Sequence, residues 1–291
     1  MRVTRPTIRA LAAAVVAGGV AVALMAMPGS AGSAPAGPGT GTAAANDAGG
    51  AQATGVQAGG AQADRPLLPN MLPLRARDIY ITGSGESRRL RFETSLASIG
   101  RGPVEVRPNG RIPCPSSKRG ASQIIYHDVD GSGSFNRSVD TAFTRRKAGC
   151  MVFHPSHNHW HLESSSFYSL WPVGAKPSRV SAYRKTSFCL RDSERVPEHL
   201  GDFDRPLYYG ACSRDRPMGV NIGWADIYQS FLDGQSLNLP RSRVPNGRYC
   251  LNIKVDPRDS LRESKERDNI SKRAIRIRGT SVSTLPNRVC R

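Results

Sequence analysis

Four of the six histidines in this chain fall within eight residues, His154-Pro155-Ser156-His157-Asn158-His159-Trp160-His161. Neutral imidazole nitrogens are borderline ligands that suit copper, zinc and iron, so such a cluster in a histidine-poor sequence reads as a metal site. Residues two apart on an extended strand share a face. That places His157, His159 and His161 on one side and turns Asn158 and Trp160 to the other. The outer Cα atoms of such a strand stand about 13 Å apart, so a single ion reaches all three rings only if the strand bends or the outer rings lean in. Copper and zinc both accept three histidines with an open coordination position. Redox chemistry, hydrolysis by a metal-bound water and simple metal retention all remain open at this point.

The elements that must position these rings are strands. Short β-rich runs recur at residues 78–82, 89–95, 104–106, 123–126, 166–171 and 248–255, separated by Gly, Pro, Asn and Asp. That pattern predicts an all-β chain, a β-sandwich with long loops and few short helices, rather than a βαβ fold. In Asn246–Val255 the Asn-Gly pair signals a turn, and Tyr249, Leu251, Ile253 and Val255 alternate onto one face. The later run Ala274-Ile275-Arg276-Ile277-Arg278-Gly279 reads as the neighbouring strand, and Tyr168 and Phe167 read as core. No internal repeat and no glycine-rich phosphate loop is present.

The N-terminus carries Arg2, Arg5 and Arg9, an apolar run from Ala10 to Met27 and then small residues. This is the layout of a secretory signal peptide over residues 1–34, with cleavage expected after Ala31 or Ala34 and no membrane span afterwards. Residues 35–66 are rich in Ala and Gly and offer little beyond Val56 to bury, which predicts a disordered linker. The folded domain is expected over residues 67–291, secreted or held at the cell surface. All six cysteines lie within it, and none stands at C-x-x-C spacing. An even count in an oxidising compartment points to three disulfides, with fifteen connectivities open. Pairing neighbours in chain order gives Cys114 with Cys150, Cys189 with Cys212 and Cys250 with Cys290.

With 41 Lys and Arg against 23 Asp and Glu, the chain has a formal charge of +18. An anionic cell-envelope polymer is a candidate partner, through Arg137, Arg145, Arg146 and Lys147 or the basic tail from Arg258 to Arg278. Nucleic acid is not expected as a partner for an exported protein.

The run from His154 to Trp171, followed by Ser181-Ala182-Tyr183-Arg184-Lys185-Thr186-Ser187-Phe188-Cys189-Leu190, Gly210-Ala211-Cys212-Ser213, Gly219–Tyr228 and Asn246–Pro257, resembles the catalytic domain of the lysyl oxidase family. The resemblance extends over roughly residues 68–279. It implies a β-sandwich with long loops and an extracellular, copper-dependent amine oxidase. Such an enzyme converts the ε-amine of peptidyl lysine, or another primary amine, to an aldehyde with release of ammonia and hydrogen peroxide. The implied copper ligands are His157, His159 and His161, with His154 outside the ligand set. The family's lysyl tyrosylquinone is built from one Lys and one Tyr, and Lys185 stands where the cofactor Lys stands. Its quinone carbonyl condenses with the substrate amine, after which a base removes the α-proton.

The partner Tyr departs from the pattern. Aligning on Ala225-Asp226-Ile227 puts Gly223 and Trp224 where the family has its Tyr. Tyr228 is the nearest phenol, with Tyr208, Tyr209 and Trp224 itself as further sources. Glu163 and Asp226 are the acid candidates, to orient a ligand or act as base. A catalytically inactive copper-binding or envelope-binding sandwich is the competing function, and a zinc hydrolase comes third because no general-base motif accompanies the histidines.

Overall fold

The computed structural model describes residues 64–175 and 179–290; the expected signal peptide and nearly all of the expected linker lie outside these residues. Among the described residues, sixteen strands and three short 3-10 turns make an all-β fold. The first half contains β1 (Arg65–Leu67), β2 (Met71–Pro73), β3 (Arg77–Thr82), β4 (Arg89–Ser98), β5 (Val104–Pro108), β6 (Lys118–Asp128), β7 (Phe143–His154) and β8 (His159–Pro172). The second half contains β9 (Ala182–Phe188), β10 (Glu194–Arg195), β11 (Met218–Val220), β12 (Trp224–Tyr228), β13 (Ser236–Asn238), β14 (Gly247–Val255), β15 (Ile270–Arg278) and β16 (Ser281–Thr284). The first strand of the described residues begins at Arg65, within the last two residues of the segment expected to be linker.

Two antiparallel sheets face each other. The larger has ten strands, ordered β11-β5-β6-β7-β8-β14-β15-β16, with β1 on β6 and β9 on β8. The smaller has six, with β10-β12-β4-β13 in order and β2 and β3 also on β4. Alternation along β14 works as expected: Tyr249, Leu251, Ile253 and Val255 enter the main core, and β15 is the neighbouring strand. From the opposite sheet β4 contributes Leu90, Phe92 and Leu96 to the same core. The Phe92 and Tyr168 rings meet edge to face at 4.8 Å, joining the two sheets. Beside them the Tyr168 hydroxyl donates to Gln235 Oε1 at 3.2 Å, and Thr94 Oγ1 donates to that oxygen at 2.8 Å. Phe167, on the other face of β8, is only partly buried and tilts against exposed Tyr183.

Asn246-Gly247 does not close a two-residue hairpin. Strand β14 pairs with β8 and β15, not with the preceding β13, and Asn246 instead accepts the Gly279 N–H at 2.7 Å. The disulfides are Cys114–Cys150, Cys189–Cys212 and Cys250–Cys290, the pairing of neighbours in chain order. Truncating Phe92 to Ala removes a ring that touches both sheets, and should cost about 3–5 kcal/mol of stability. Chemical denaturation of the oxidised protein checks this; a loss below about 1 kcal/mol would contradict the packing described.

Candidate metal centre

The histidine cluster lies at the hairpin between β7 and β8. His154 ends β7 and pairs with His159, the first residue of β8, so residues 155–158 form the loop. Pro155 occupies the second position of a turn closed by His157 N–H donating to the His154 carbonyl at 3.1 Å, where its fixed φ is favoured. Asn158 takes a left-handed φ of 54°, a conformation Asn tolerates better than most residues. The extended reading therefore holds for His159 and His161 alone. His157 is carried back over them by the loop, which removes the long span that a straight strand would impose.

Ring nitrogens of His157, His159 and His161 come within 4.8 Å of one another. The ring centroids are separated by 5.4 Å for His157 and His159, 5.0 Å for His159 and His161, and 5.6 Å for His157 and His161. His161 Nδ1 donates to the Ser187 carbonyl at 3.1 Å, which leaves its Nε2 as a free lone pair. That Nε2 faces His159 Nε2 at 3.1 Å. Burial, reinforced by the neighbouring rings, lowers the His161 pKa to about 4, and burial also lowers that of His159. Neutral rings with converging lone pairs fit a borderline metal ion. His154 stacks flat on His157 at 4.0 Å and turns its Nδ1 to Ser156 Oγ at 3.0 Å. It supports the loop. Trp160 packs on Phe153 at 5.3 Å and against the main core, anchoring the start of β8 on its other face.

These four histidines line a cleft of about 1170 Å³ that is also lined by Lys185, Asp226 and Tyr228. Lys185 is an exposed residue of β9, held in register with Phe167 of β8. Asp226 and Tyr228 come from β12, paired with Leu96 and Thr94 of β4. Asp226 is 1% exposed, and neither of its carboxylate oxygens has a hydrogen-bond partner. Burial, offset only in part by Arg191, pushes its pKa well above the usual carboxylate range. The Tyr228 ring stacks on Phe188 at 3.8 Å, and its hydroxyl donates to the Cys189 carbonyl at 2.8 Å. Burial raises the pKa of this phenol.

The other candidates from the sequence lie elsewhere. Glu163 follows His161 closely in the chain but forms an ion pair with Lys118 at 2.7 Å and approaches Arg258 at 3.7 Å, outside the lining of the cleft. A left-handed φ of 55° at Ser164 and a register shift between Leu162 and Ser166 interrupt the strand there. Tyr209 is buried with its hydroxyl donating to Glu105 at 2.6 Å, and Tyr208 is 51% exposed beneath Arg137. Trp224 lies under Arg195 and donates from its indole to the Arg205 carbonyl at 3.0 Å. None of these three lines the cleft. Gly223 adopts φ +78° with Phe203 against its Cα, so no Tyr side chain fits at that position. Arg137, expected on a polymer-binding patch, is committed to the Tyr209 and Tyr126 hydroxyls, whereas Arg145, Arg146 and Lys147 are exposed on β7.

Sequence reasoning missed that Ser187, Phe188 and Arg191 lie beneath the site and that the expected Cys189–Cys212 bridge brings its sulfurs beside His159. The block Lys185-Thr186-Ser187-Phe188-Cys189 contained that signal, since the strand bearing the lysine runs directly into the cysteine. Replacing any one of His157, His159 or His161 with Ala should remove most bound copper from metal-loaded protein. Elemental analysis after gel filtration measures this, and full stoichiometric copper in all three variants would contradict the assignment.

Residues 135–286, more than half of the chain, match the sequence profile of the lysyl oxidase family. Lysyl oxidase homolog 1 of Bos taurus is 25% identical over 253 residues, spanning 76% of this chain and 41% of that protein. Lysyl oxidase homolog 2 is 26% identical in Gallus gallus and 29% in Xenopus tropicalis, each over 132 residues, 45% of this chain. The chain spans only 16% of the length of those homolog 2 proteins. With a three-histidine hairpin, a disulfide-bonded all-β fold and this sequence match together, the chain belongs to the lysyl oxidase family.

Proposed function

We propose that the chain is an exported, copper-dependent amine oxidase that converts a primary amine, dioxygen and water to an aldehyde, ammonia and hydrogen peroxide. The observation that carries this reading is the convergence of the three-histidine centre, Lys185, Tyr228 and Asp226 on one cleft. His157, His159 and His161 are assigned to copper. Lys185 and Tyr228 are assigned to the quinone, because Tyr228 alone among the phenols and the indole considered from the sequence lines the cleft with Lys185. When bound, copper and the quinone together supply the electron sink for a two-electron oxidation of the amine.

The chain's own groups do the remaining work. Asp226 is the base: its carboxylate, whose pKa burial raises above the usual carboxylate range, takes the proton from the amine-bearing carbon. Arg191 opposes that shift by favouring the charged carboxylate. Phe188 fixes the plane of the Tyr228 ring, and the Cys189 carbonyl fixes the direction of its hydroxyl. A lysine side chain on a protein or a small primary amine is the substrate class. The large positive charge opposes a Lys-rich partner at long range, but salt screens that repulsion beyond about 8–10 Å, leaving recognition to the cleft.

Residues 1–34 are assigned to a secretory leader, 35–66 to a linker whose last two residues enter β1, and the remainder to the enzyme, a layout that fits a protein outside the cell or on its surface. Among the described residues no helix is long and apolar enough to cross a membrane. Arg145, Arg146 and Lys147 remain available for an anionic envelope polymer.

Copper-loaded protein should release peroxide with a primary amine, and Lys185→Ala and Tyr228→Phe should each abolish it. Asp226 must be ionised to act, and its pKa lies above the ordinary carboxylate range. Activity is therefore lost as pH falls through that raised value, earlier than for an exposed aspartate. Asp226→Asn should lower kcat by about 10²–10⁴ and remove this acid limb. Absence of peroxide from copper-replete wild type with every amine tested would sink the enzyme reading and leave the copper-holding module.

A further inference from the structure

Away from the histidine cleft, the connection from β6 to β7 gathers three carboxylates. Oxygens of Asp128, Asp130 and Asp140 come within 4.8 Å of one another. Asp128 and Asp140 are 2% and 0% exposed, and Asp128 Oδ1 has no hydrogen-bond partner. Among the described residues none of the three forms an ion pair. Buried carboxylates persist when paired, neutralised or bound to a metal, and an orphaned oxygen inside a triad lacking any cation points to the last of these.

The sequence of the loop agrees. Asp128-Val129-Asp130-Gly131-Ser132-Gly133-Ser134 has oxygen side chains at positions 1, 3 and 5 and glycine at position 6, the opening of a calcium loop. Gly133 takes φ +75°, and its N–H donates to Asp128 Oδ2 at 2.9 Å. The carbonyl of Ser134 holds position 7. The loop departs from the usual pattern at its end, where position 12 is Val139 and the closing carboxylate is Asp140, one residue later. Asp140 ties the loop by accepting the Val129 and Asn136 N–H groups at 2.8 and 2.6 Å.

We propose that residues 128–140 form a Ca²⁺ site, with Asp128, Asp130 and Asp140 as its carboxylate ligands. An all-oxygen, carboxylate-rich set selects a hard cation, whereas the three-imidazole centre selects a borderline one. The ion fixes the loop that delivers Phe135 to a core cluster with Tyr126 and Arg137 to the Tyr209 hydroxyl at 2.9 Å. It also ties the end of β6 to the start of β7, the strand that runs to His154.

The test is titration of chelator-treated full chain with Ca²⁺ alone, read by calorimetry and by thermal unfolding. Wild type should bind Ca²⁺ with a Kd near about 10⁻⁴–10⁻³ M, the range of extracellular calcium modules, and unfold at higher temperature when loaded. Asp128→Asn should weaken binding at least tenfold. Asp130→Asn changes an exposed side chain, tests the site without risk to folding, and should do the same while copper loading at the histidines stays intact. No Ca²⁺ binding by wild type, or equal affinity in wild type and Asp130→Asn, would overturn the site.

Discussion

The reversal between His154 and His159 is the constraint on which the centre depends. Three imidazoles on a straight strand spread too far for one ion, and a loop of four residues brings them together. Pro155 supplies one backbone angle in advance and Asn158 tolerates the left-handed one, so the loop is encoded between the histidines it gathers. Stacking of His154 on His157 then holds the ring that the loop itself leaves most exposed. On the strand side, the Ser187 carbonyl orients His161 and Trp160 locks β8 to the core. The three-histidine cluster is thus supported from both ends, and burial favours the neutral form of His159 and His161.

Around this hairpin the two sheets supply different parts of the cleft. Strand β9, lying on β8, presents Lys185 and then turns into Phe188 and the Cys189–Cys212 bridge. Strand β12, lying on β4 in the opposing sheet, presents Asp226 and Tyr228. Contact between Phe188 and Tyr228, and between the Cys189 carbonyl and the Tyr228 hydroxyl, joins these two contributions directly. A buried acid and a partly buried phenol, both with raised pKa, sit in a wall that also carries Arg184, Lys185 and Arg191. A buried acid only partly offset by a nearby cation is costly for folding, and such strongly shifted groups cluster at sites that move protons.

Much of the fold was legible because its signals are local. Strict alternation in β14 named four core residues, and a strand's own periodicity determines which of its faces is buried. Chain-order disulfides were legible because each closes a modest loop. The histidine cluster was legible as a composition anomaly, but its shape was not, since the turn at residues 155–158 replaced the expected strand. Glu163 misled for a related reason: nearness to His161 in sequence does not survive the interruption at Ser164, and its charge is taken by Lys118. The lack of a phenol at Gly223 has a local reason, because a left-handed backbone packed against Phe203 excludes any side chain there. Which of the phenols reaches the cleft depends on the pairing of β12 with β4, a long-range register that no local pattern reveals.

Lys185 and Tyr228 line one cleft with the three histidines, and the proposed function requires that copper join them as one cofactor. Peptide mass mapping of copper-loaded, fully reduced and digested protein reads that bond directly. A cross-linked species joining the peptide that contains Lys185 to the peptide that contains Tyr228 is expected, dependent on copper and absent after His159→Ala. Recovery of both peptides separate and unmodified from copper-replete wild type, or of Lys185 joined to Tyr208, Tyr209 or Trp224, would contradict it.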